Sequence, residues 1–427
     1  MITALVLVVL FGLLTIGTPV GFAMGISGCV GLYMIGGTAA LYGILQTSSI
    51  STVSSYELIT IPMFLLLAEF VLVSGVADDL FKAAAAWVGR VPGGLGMATA
   101  LAGAGFGAIC GSSAASAATL SSTSLPAMLK QGYEPKMAAG VVAISGTLAM
   151  LLPTSIALVL YGILADVSIS KLLISGILPA ILITIAIMAT IYLLVWLDPA
   201  RAPIIRGTPL AEKLRMLRIV GPMLFLFAGV TGVIYTGIAT PTEASAVGAF
   251  GAFLIAGMRG SLNRKNFGPV FWRAARSTCM ISMILVGAHV FGYYFTLAQV
   301  PQGLIAWVGS LDVSPWIVIV LLLCGYIVLG SFMDQIAILV LTVPIVVPLI
   351  RSLGFDPIWF GVIKIVTAEI GMVTPPVGLN CYIVARYANR PVTEVFHGVW
   401  PHFVAHIIAL ALLVAFPIIS LWLPSRM

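Results

Sequence analysis

One run of this chain sets hydroxyl groups among glycine, alanine and other small residues. The run from Phe106 to Ser124 reads FGAICGSSAASAATLSSTS, and Ser112, Ser116, Thr119 and Thr123 fall four, three and four residues apart, on one face of a helix. Two other segments supply backbone carbonyls. Pro153 interrupts ISGTLAMLLPTSIALVLYG, and Pro375-Pro376 interrupts TAEIGMVTPPVGLNCY. Each proline lacks the N–H that would serve the carbonyl four residues back, here those of Ala149 and Gly371. Hydroxyl and carbonyl oxygens are hard ligands suited to Na⁺, and the N-termini of half-helices present positive dipole ends suited to a carboxylate. The chemistry these residues suggest is a sodium-coupled site for a small organic anion. The plainer alternative is close packing through small residues, with Ser and Thr bonded to their own helices.

The acidic and histidine residues sort differently. Asp334, in LGSFMDQ, stands near the tip of a second hairpin and reads as functional. Glu369 lies in the second interrupted segment, where it reads either as functional or simply as a partner of Lys364. Glu69 has no clear role. Glu243 completes Thr240-Pro241-Thr242-Glu243, a capping box with proline at the first helical position. His289, His402 and His406 are expected to be packed against partners within apolar spans rather than to relay protons.

Elements long enough to hold these residues must lie in a bilayer. The chain has 427 residues, 61% hydrophobic and 8% charged, whereas a soluble domain carries about a quarter charged residues. Ten to twelve spans of about 20 residues would account for that composition. The net charge of +6 does not indicate nucleic acid, because the Lys and Arg sit in loops and form no basic face. The five Cys, with no Cys-x-x-Cys pair, read as small core residues. The opening MITALVLVVLFGLL lacks a basic n-region and reads as a retained span.

An offset of 222 residues brings two halves into register. Thr18-Pro19 falls on Thr240-Pro241, Pro126 on Pro348, Gly132 on Gly354, Pro135 on Pro357, Met150 on Met372, Pro153 on Pro375, Gly176 on Gly398 and Pro179 on Pro401. Ala-Trp-Val-Gly at 86–89 recurs at 306–309. Because Pro and Gly fix the backbone, this register argues for repeated architecture. The expected fold is all-α and polytopic, with two inverted repeats of five crossings each. The first repeat is 1–197, with crossings at 3–17, 19–38, 58–77, 134–165 and 170–197 and a re-entrant hairpin at 94–129. A cytoplasmic linker occupies 198–218. The second repeat is 219–427, with crossings at 219–238, 241–258, 277–299, 355–386 and 397–423 and a hairpin at 314–350.

The hairpin tips are expected at Gly111-Ser112-Ser113 and around Asp334. Gly103, Gly107 and Gly111 give the first hairpin a smooth face for close helix approach. If both hairpins dip in and return, 16 of the 20 Lys and Arg share one side, and only Lys171, Arg351 and Arg426 fall opposite. The positive-inside rule then puts both termini outside the cytoplasm, and five crossings per repeat invert one half against the other.

These motifs also carry a family resemblance. GAICGSSAASAAT, GTLAMLLPTSIALVLYG, YTGIATPTEASAVGA, GSFMDQIAILVLTVPI and GMVTPPVGLNCY resemble the large membrane subunit of the TRAP (tripartite ATP-independent periplasmic) transporters, nearly end to end. The resemblance implies an elevator-type carrier of the ion transporter superfamily in the bacterial inner membrane, driven by Na⁺. It also implies a periplasmic substrate-binding protein and a smaller four-helix membrane subunit as partners.

By this resemblance, one sodium site joins the Ser112, Ser113 and Ser116 tip to the break around Gly146, Met150 and Pro153. The other joins Gly330 and Asp334 to Gly371, Met372 and Thr374. Substrate, a dicarboxylate, sialic acid or other organic acid, would lie between the tips, near Ser113, Thr154, Pro375, Pro376 and Asn380. Two rivals are a self-sufficient sodium/carboxylate symporter and an intramembrane serine protease built on Gly111-Ser112. The protease reading lacks a histidine anywhere in the first half.

Overall fold

The computed structural model describes residues 2–203 and 208–427. Arg206, one of the basic residues used for the charge count, lies outside them. The first half contributes α1 (Ile2–Thr15), α2 (Val20–Val53), α3 (Thr60–Ser74), α4 (Val76–Val88), α5 (Gly94–Cys110), α6 (Ser113–Lys130), α7 (Pro135–Thr147), α8 (Ile156–Ala165), α9 (Ile169–Ser175) and α10 (Ile177–Leu197). The second contributes α11 (Leu210–Tyr235), α12 (Pro241–Met258), α13 (Arg264–Leu297), α14 (Val300–Gly309), α15 (Pro315–Phe332), α16 (Gln335–Ser352), α17 (Pro357–Gly371), α18 (Leu379–Ala388) and α19 (Val392–Ala415). Among the described residues, eight helical segments are long and apolar enough to cross a membrane. The chain is an all-helical, multi-span membrane protein.

Local sequence explains where these helices begin and end. Asp356 caps α17 by accepting the N–H groups of Ile358 and Trp359, with Pro357 at the first helical position. Thr240 and Glu243 form the capping box read from the sequence. Gly111 takes a left-handed conformation (φ 61°) that closes α5, and Ser112 then caps α6. Left-handed backbone suits glycine because it has no Cβ to clash. Adding 222 to the bounds of α5, α6, α7 and α8 gives those of α15, α16, α17 and α18 to within two residues at every end.

The two helices that lead into the breaks form the core. Every residue from Met137 to Thr147 in α7 and from Trp359 to Gly371 in α17 is buried. The halves meet where the Tyr161 hydroxyl of α8 donates to the Pro357 carbonyl at 2.6 Å. Elsewhere α2 lies against α13, close enough that a Cβ at Gly21 or Gly28 would strike the backbone of Ile284 or Phe291. Large apolar side chains such as Val8, Phe11, Phe225, Phe250 and Trp272 remain exposed on the outer helices, as expected of surfaces facing lipid or a membrane partner.

Several expected boundaries need correction. The crossing at 58–77 ends at Gly75 (φ 72°), and a separate helix, α4, follows it. That helix is short and amphipathic, with Asp78 and Asp79 in its first turn, so it produces no span-length apolar run. The crossing at 19–38 continues to Val53 through non-helical backbone at Gly37. The crossing at 277–299 begins at Arg264, because the charged first turns of α13 are helical too.

Candidate functional site

The first hairpin and the first break are one packed unit. The Thr154 hydroxyl, between α7 and α8, donates to the Ala108 carbonyl in the last turn of α5 at 2.9 Å. Such a bond satisfies an acceptor that has no partner within its own helix end. The glycine face of α5 meets this break as expected. A Cβ at Gly103, Gly107 or Gly111 would collide with Ser145, Ala149 or Thr154 respectively, and one at Gly146 would collide with Ala117 of α6.

The second hairpin and break repeat the arrangement with different residues. Gly330 approaches Ala368 and Gly371 so closely that neither glycine has room for a Cβ. The Ser331 carbonyl accepts the N–H groups of Val377 and Gly378 at 3.1 and 3.3 Å. Asp334 caps α16, its carboxylate accepting the Ile336 N–H at 3.1 Å. Thr374 donates its hydroxyl to the Ile370 carbonyl at 2.6 Å, and its N–H bonds the Gly371 carbonyl.

One contact joins the two units across the halves. The Asn380 side-chain amide in the first turn of α18 donates to the Ser113 hydroxyl, first residue of α6, at 2.6 Å, both side chains being fully buried. The Asn380 backbone N–H bonds the Met372 carbonyl at 3.2 Å. Asn380 Oδ1 and the buried Ser116 Oγ have no hydrogen-bond partner among the described residues. Unpaired buried oxygens cost free energy unless something else satisfies them. The N-termini of α6 and α18, positive dipole ends, meet at Ser113 and Asn380, while the segment leading into α8 packs against the end of α5 at Thr154 and Ala108.

The family model described as "Tripartite ATP-independent periplasmic transporter, DctM component" matches residues 7–419. The chain belongs to this family. It is 34% identical, over 88% of its own length and 87% of the relative's, to the C4-dicarboxylate TRAP transporter large permease protein DctM of Pseudomonas aeruginosa. It is 29% identical, over 97% and 96% of the two lengths, to the sialic acid TRAP transporter large permease protein SiaM of Vibrio cholerae. In fold it is similar to the YdaH transporter of Alcanivorax borkumensis, with a TM-score of 0.66 at 15% identity, covering 89% of each chain. A transporter family excludes the protease reading. The chain is a TRAP transporter membrane permease, not an enzyme.

In this TRAP permease the expected substrate residues divide between buried and open positions. Ser113, Thr154 and Asn380 are buried, whereas Pro375 and Pro376 line a cavity of about 650 Å³ with Tyr382, Phe396, Trp400 and Thr374, the last expected at a sodium site. A larger cavity, about 860 Å³, lies away from the tips and contains none of the expected site residues. His289 lines it, with Nδ1 2.6 Å from the Thr52 hydroxyl.

The charged residues bring one correction. Lys364 and Glu369 do not pair. The Lys364 ammonium sits 5.8 and 5.1 Å from the ring centres of Tyr161 and Tyr326, and both Glu369 oxygens are buried without a partner among the described residues. Five residues along α17 separate the two by about 140°, which points them to different faces. His402 and His406 are buried, but their ring nitrogens also lack hydrogen-bond partners among the described residues. Glu69, left without a role by the sequence, pairs with Arg273 of α13 at 2.7 Å.

Sequence reasoning passed over Gln335. It stands 222 residues after Ser113, next to Asp334, and is buried with Oε1 lacking a partner among the described residues. The offset that located the hairpins also marks this residue.

Proposed function

We propose that the permease carries a small organic anion, of the carboxylate class to which C4-dicarboxylates and sialic acids belong, into the cytoplasm together with Na⁺. The observation that carries this reading is the Asn380–Ser113 bond, which joins both hairpin-and-break units at a place where Asn380 Oδ1 and Ser116 Oγ lack partners among the described residues. Na⁺ is carried cargo here, and hydroxyl and carbonyl oxygens are its natural ligands. Ser112, Ser113 and Ser116, with the break around Gly146, Met150 and Pro153, serve one ion. Gly330, Asp334, Gly371, Met372 and Thr374 serve the other. The anion lies between the tips, near Ser113, Thr154, Pro375, Pro376 and Asn380, drawn by the helix N-termini.

The architecture proposed for this task is two inverted repeats, 1–197 and 219–427, joined by a linker at 198–218. The hairpins and broken spans move as one body against α1–α3 and α11–α13, in the manner of an elevator. Matching helix bounds at an offset of 222 support the repeat, and the 16 to 3 charge division supports opposite hairpin openings and termini outside the cytoplasm. The word tripartite in the family description and the words large permease protein in the relatives' names support two further components, in this proposal a small four-helix membrane subunit and a periplasmic binding protein that delivers the substrate. The test is uptake by reconstituted vesicles. Permease, small subunit and binding protein together should accumulate a radiolabelled C4-dicarboxylate or sialic acid when a Na⁺ gradient is imposed, and the permease alone should not. Robust uptake by the permease alone would favour a self-sufficient symporter.

A further inference from the structure

Helix α4 is fastened at both ends to the helices beside it. Arg259, the C-cap residue of α12, directs one guanidinium nitrogen to the Asp79 carboxylate in the first turn of α4 at 2.5 Å. The same nitrogen lies 3.4 Å from the carbonyl of Ser74, the last residue of α3, and the other terminal nitrogen donates to the Ile219 carbonyl of α11 at 3.0 Å. A single planar fork thus holds both sides of the left-handed bend at Gly75 and ties it to a third helix. The rigid donor geometry of arginine suits that task better than an ammonium would. At the far end of α4, the Lys213 ammonium of α11 lies 5.5 Å from the centre of the Trp87 ring.

The counterpart helix is free of these ties. α14 also follows a left-handed bend, at Gln299 (φ 52°), and carries Trp307 in the recurring Ala-Trp-Val-Gly. Among the described residues no ion pair and no cation over a ring engages it. The position 222 residues before Arg259 is Gly37, which has no side chain to reach a bend. Packing does not demand the difference, since the Arg259 and Asp79 side chains are each 24% exposed and water would tolerate either alone.

We infer that the Arg259–Asp79 pair is a latch on the α3–α4 bend, holding α4 and with it the moving body that contains the α5–α6 hairpin in the arrangement seen here, while α14 adds no latch of its own. The inference rests on the proposed movement of the hairpins against the outer helices. Arg259 is a positioning residue: it touches no part of the site, and its effect is on the balance between arrangements.

The experiment measures that balance directly. Spin labels on Gln131→Cys, just after α6, and Asn266→Cys, in the first turn of α13, report hairpin position in the assembled transporter in nanodiscs, with Cys29, Cys279 and Cys324 replaced by Ser. With the native latch, the distance of this structure should dominate a second one. Arg259→Gln and Asp79→Asn should each raise the second population about fivefold, the change given by an interaction of about 1 kcal/mol when 1.36 kcal/mol is tenfold. The charge-swapped Arg259→Asp/Asp79→Arg pair should undo at least half of that rise. Asp79→Asn guards against a folding defect, because Arg259 keeps its bonds to the Ser74 and Ile219 carbonyls. Two distances that respond to exchange of Na⁺ for choline, but whose populations ignore all three variants, overturn the latch alone. A single distance in every protein and condition overturns the proposed movement, and the latch with it.

Discussion

Ser113 and Asn380 lie 267 residues apart in the chain and 2.6 Å apart in the fold, so their bond is the sharpest test of the site. Ser113→Ala removes the acceptor and strands the Asn380 amide in a buried place, a loss expected to cost about 1–3 kcal/mol. The variant should unfold at lower temperature in detergent and need more Na⁺ for half-maximal uptake. Ser112→Ala and Thr374→Ala should raise the Na⁺ requirement with smaller effects on stability. Ser112 accepts only a long 3.5 Å bond from Ala115, and Thr374 caps nothing beyond its own helix. Thr119→Ala, in the second turn of α6 and away from the tip, should leave Na⁺ dependence unchanged. Equal effects of all four substitutions would argue that the hydroxyls only pack the hairpin.

At the scale of elements, what the sequence revealed depended on how local the signal was. The hairpin turns and both breaks were legible because Gly111-Ser112, Asp334, Pro153 and Pro375-Pro376 act on the backbone within a few residues. The helices α4 and α14 were not, since each is short and its apolar residues cover one side only. Nor was the start of α13, where Arg264, Lys265, Arg273 and Arg276 interrupt the apolar pattern of a helix that runs on regardless. The Asn380–Ser113 contact could not be read from spacing, because only the packing of α18 against α6 creates it. Close approach at the second break gives a prediction of its own. Gly371→Ala puts a methyl group against the backbone of Gly330 and Ile327, and overpacking of this kind costs about 1–3 kcal/mol. Thermal unfolding should register the loss, and uptake should fall. Gly325→Ala, on an open face of α15 with nothing within 4 Å, should change neither measurement.

For the whole molecule, the distribution of basic residues determines which way the carrier faces. A cysteine at Arg264 should be shielded from an impermeant thiol reagent in intact cells, and one at Asp312, between α14 and α15, should be labelled. The reverse pattern would turn the carrier over and place both termini in the cytoplasm. Orientation in turn fixes the energetics of uptake. An anion that enters an inside-negative cell moves against about 2.3 kcal/mol per charge at 100 mV, and each Na⁺ that accompanies it returns the same amount. A monovalent anion therefore needs at least two Na⁺ for the membrane potential to drive uptake, and a dianion needs three. If each hairpin-and-break unit takes one ion, as proposed, a monovalent substrate should bring net positive charge inward. In vesicles holding the assembled transporter, a potassium diffusion potential negative inside should accelerate uptake of a monovalent acid. The same potential should leave uptake of a dianion unchanged if two Na⁺ move, and speed it if three do. Unchanged or slower uptake of the monovalent acid under that potential would mean that fewer than two Na⁺ accompany it, and the pairing of one ion with each break would then be wrong.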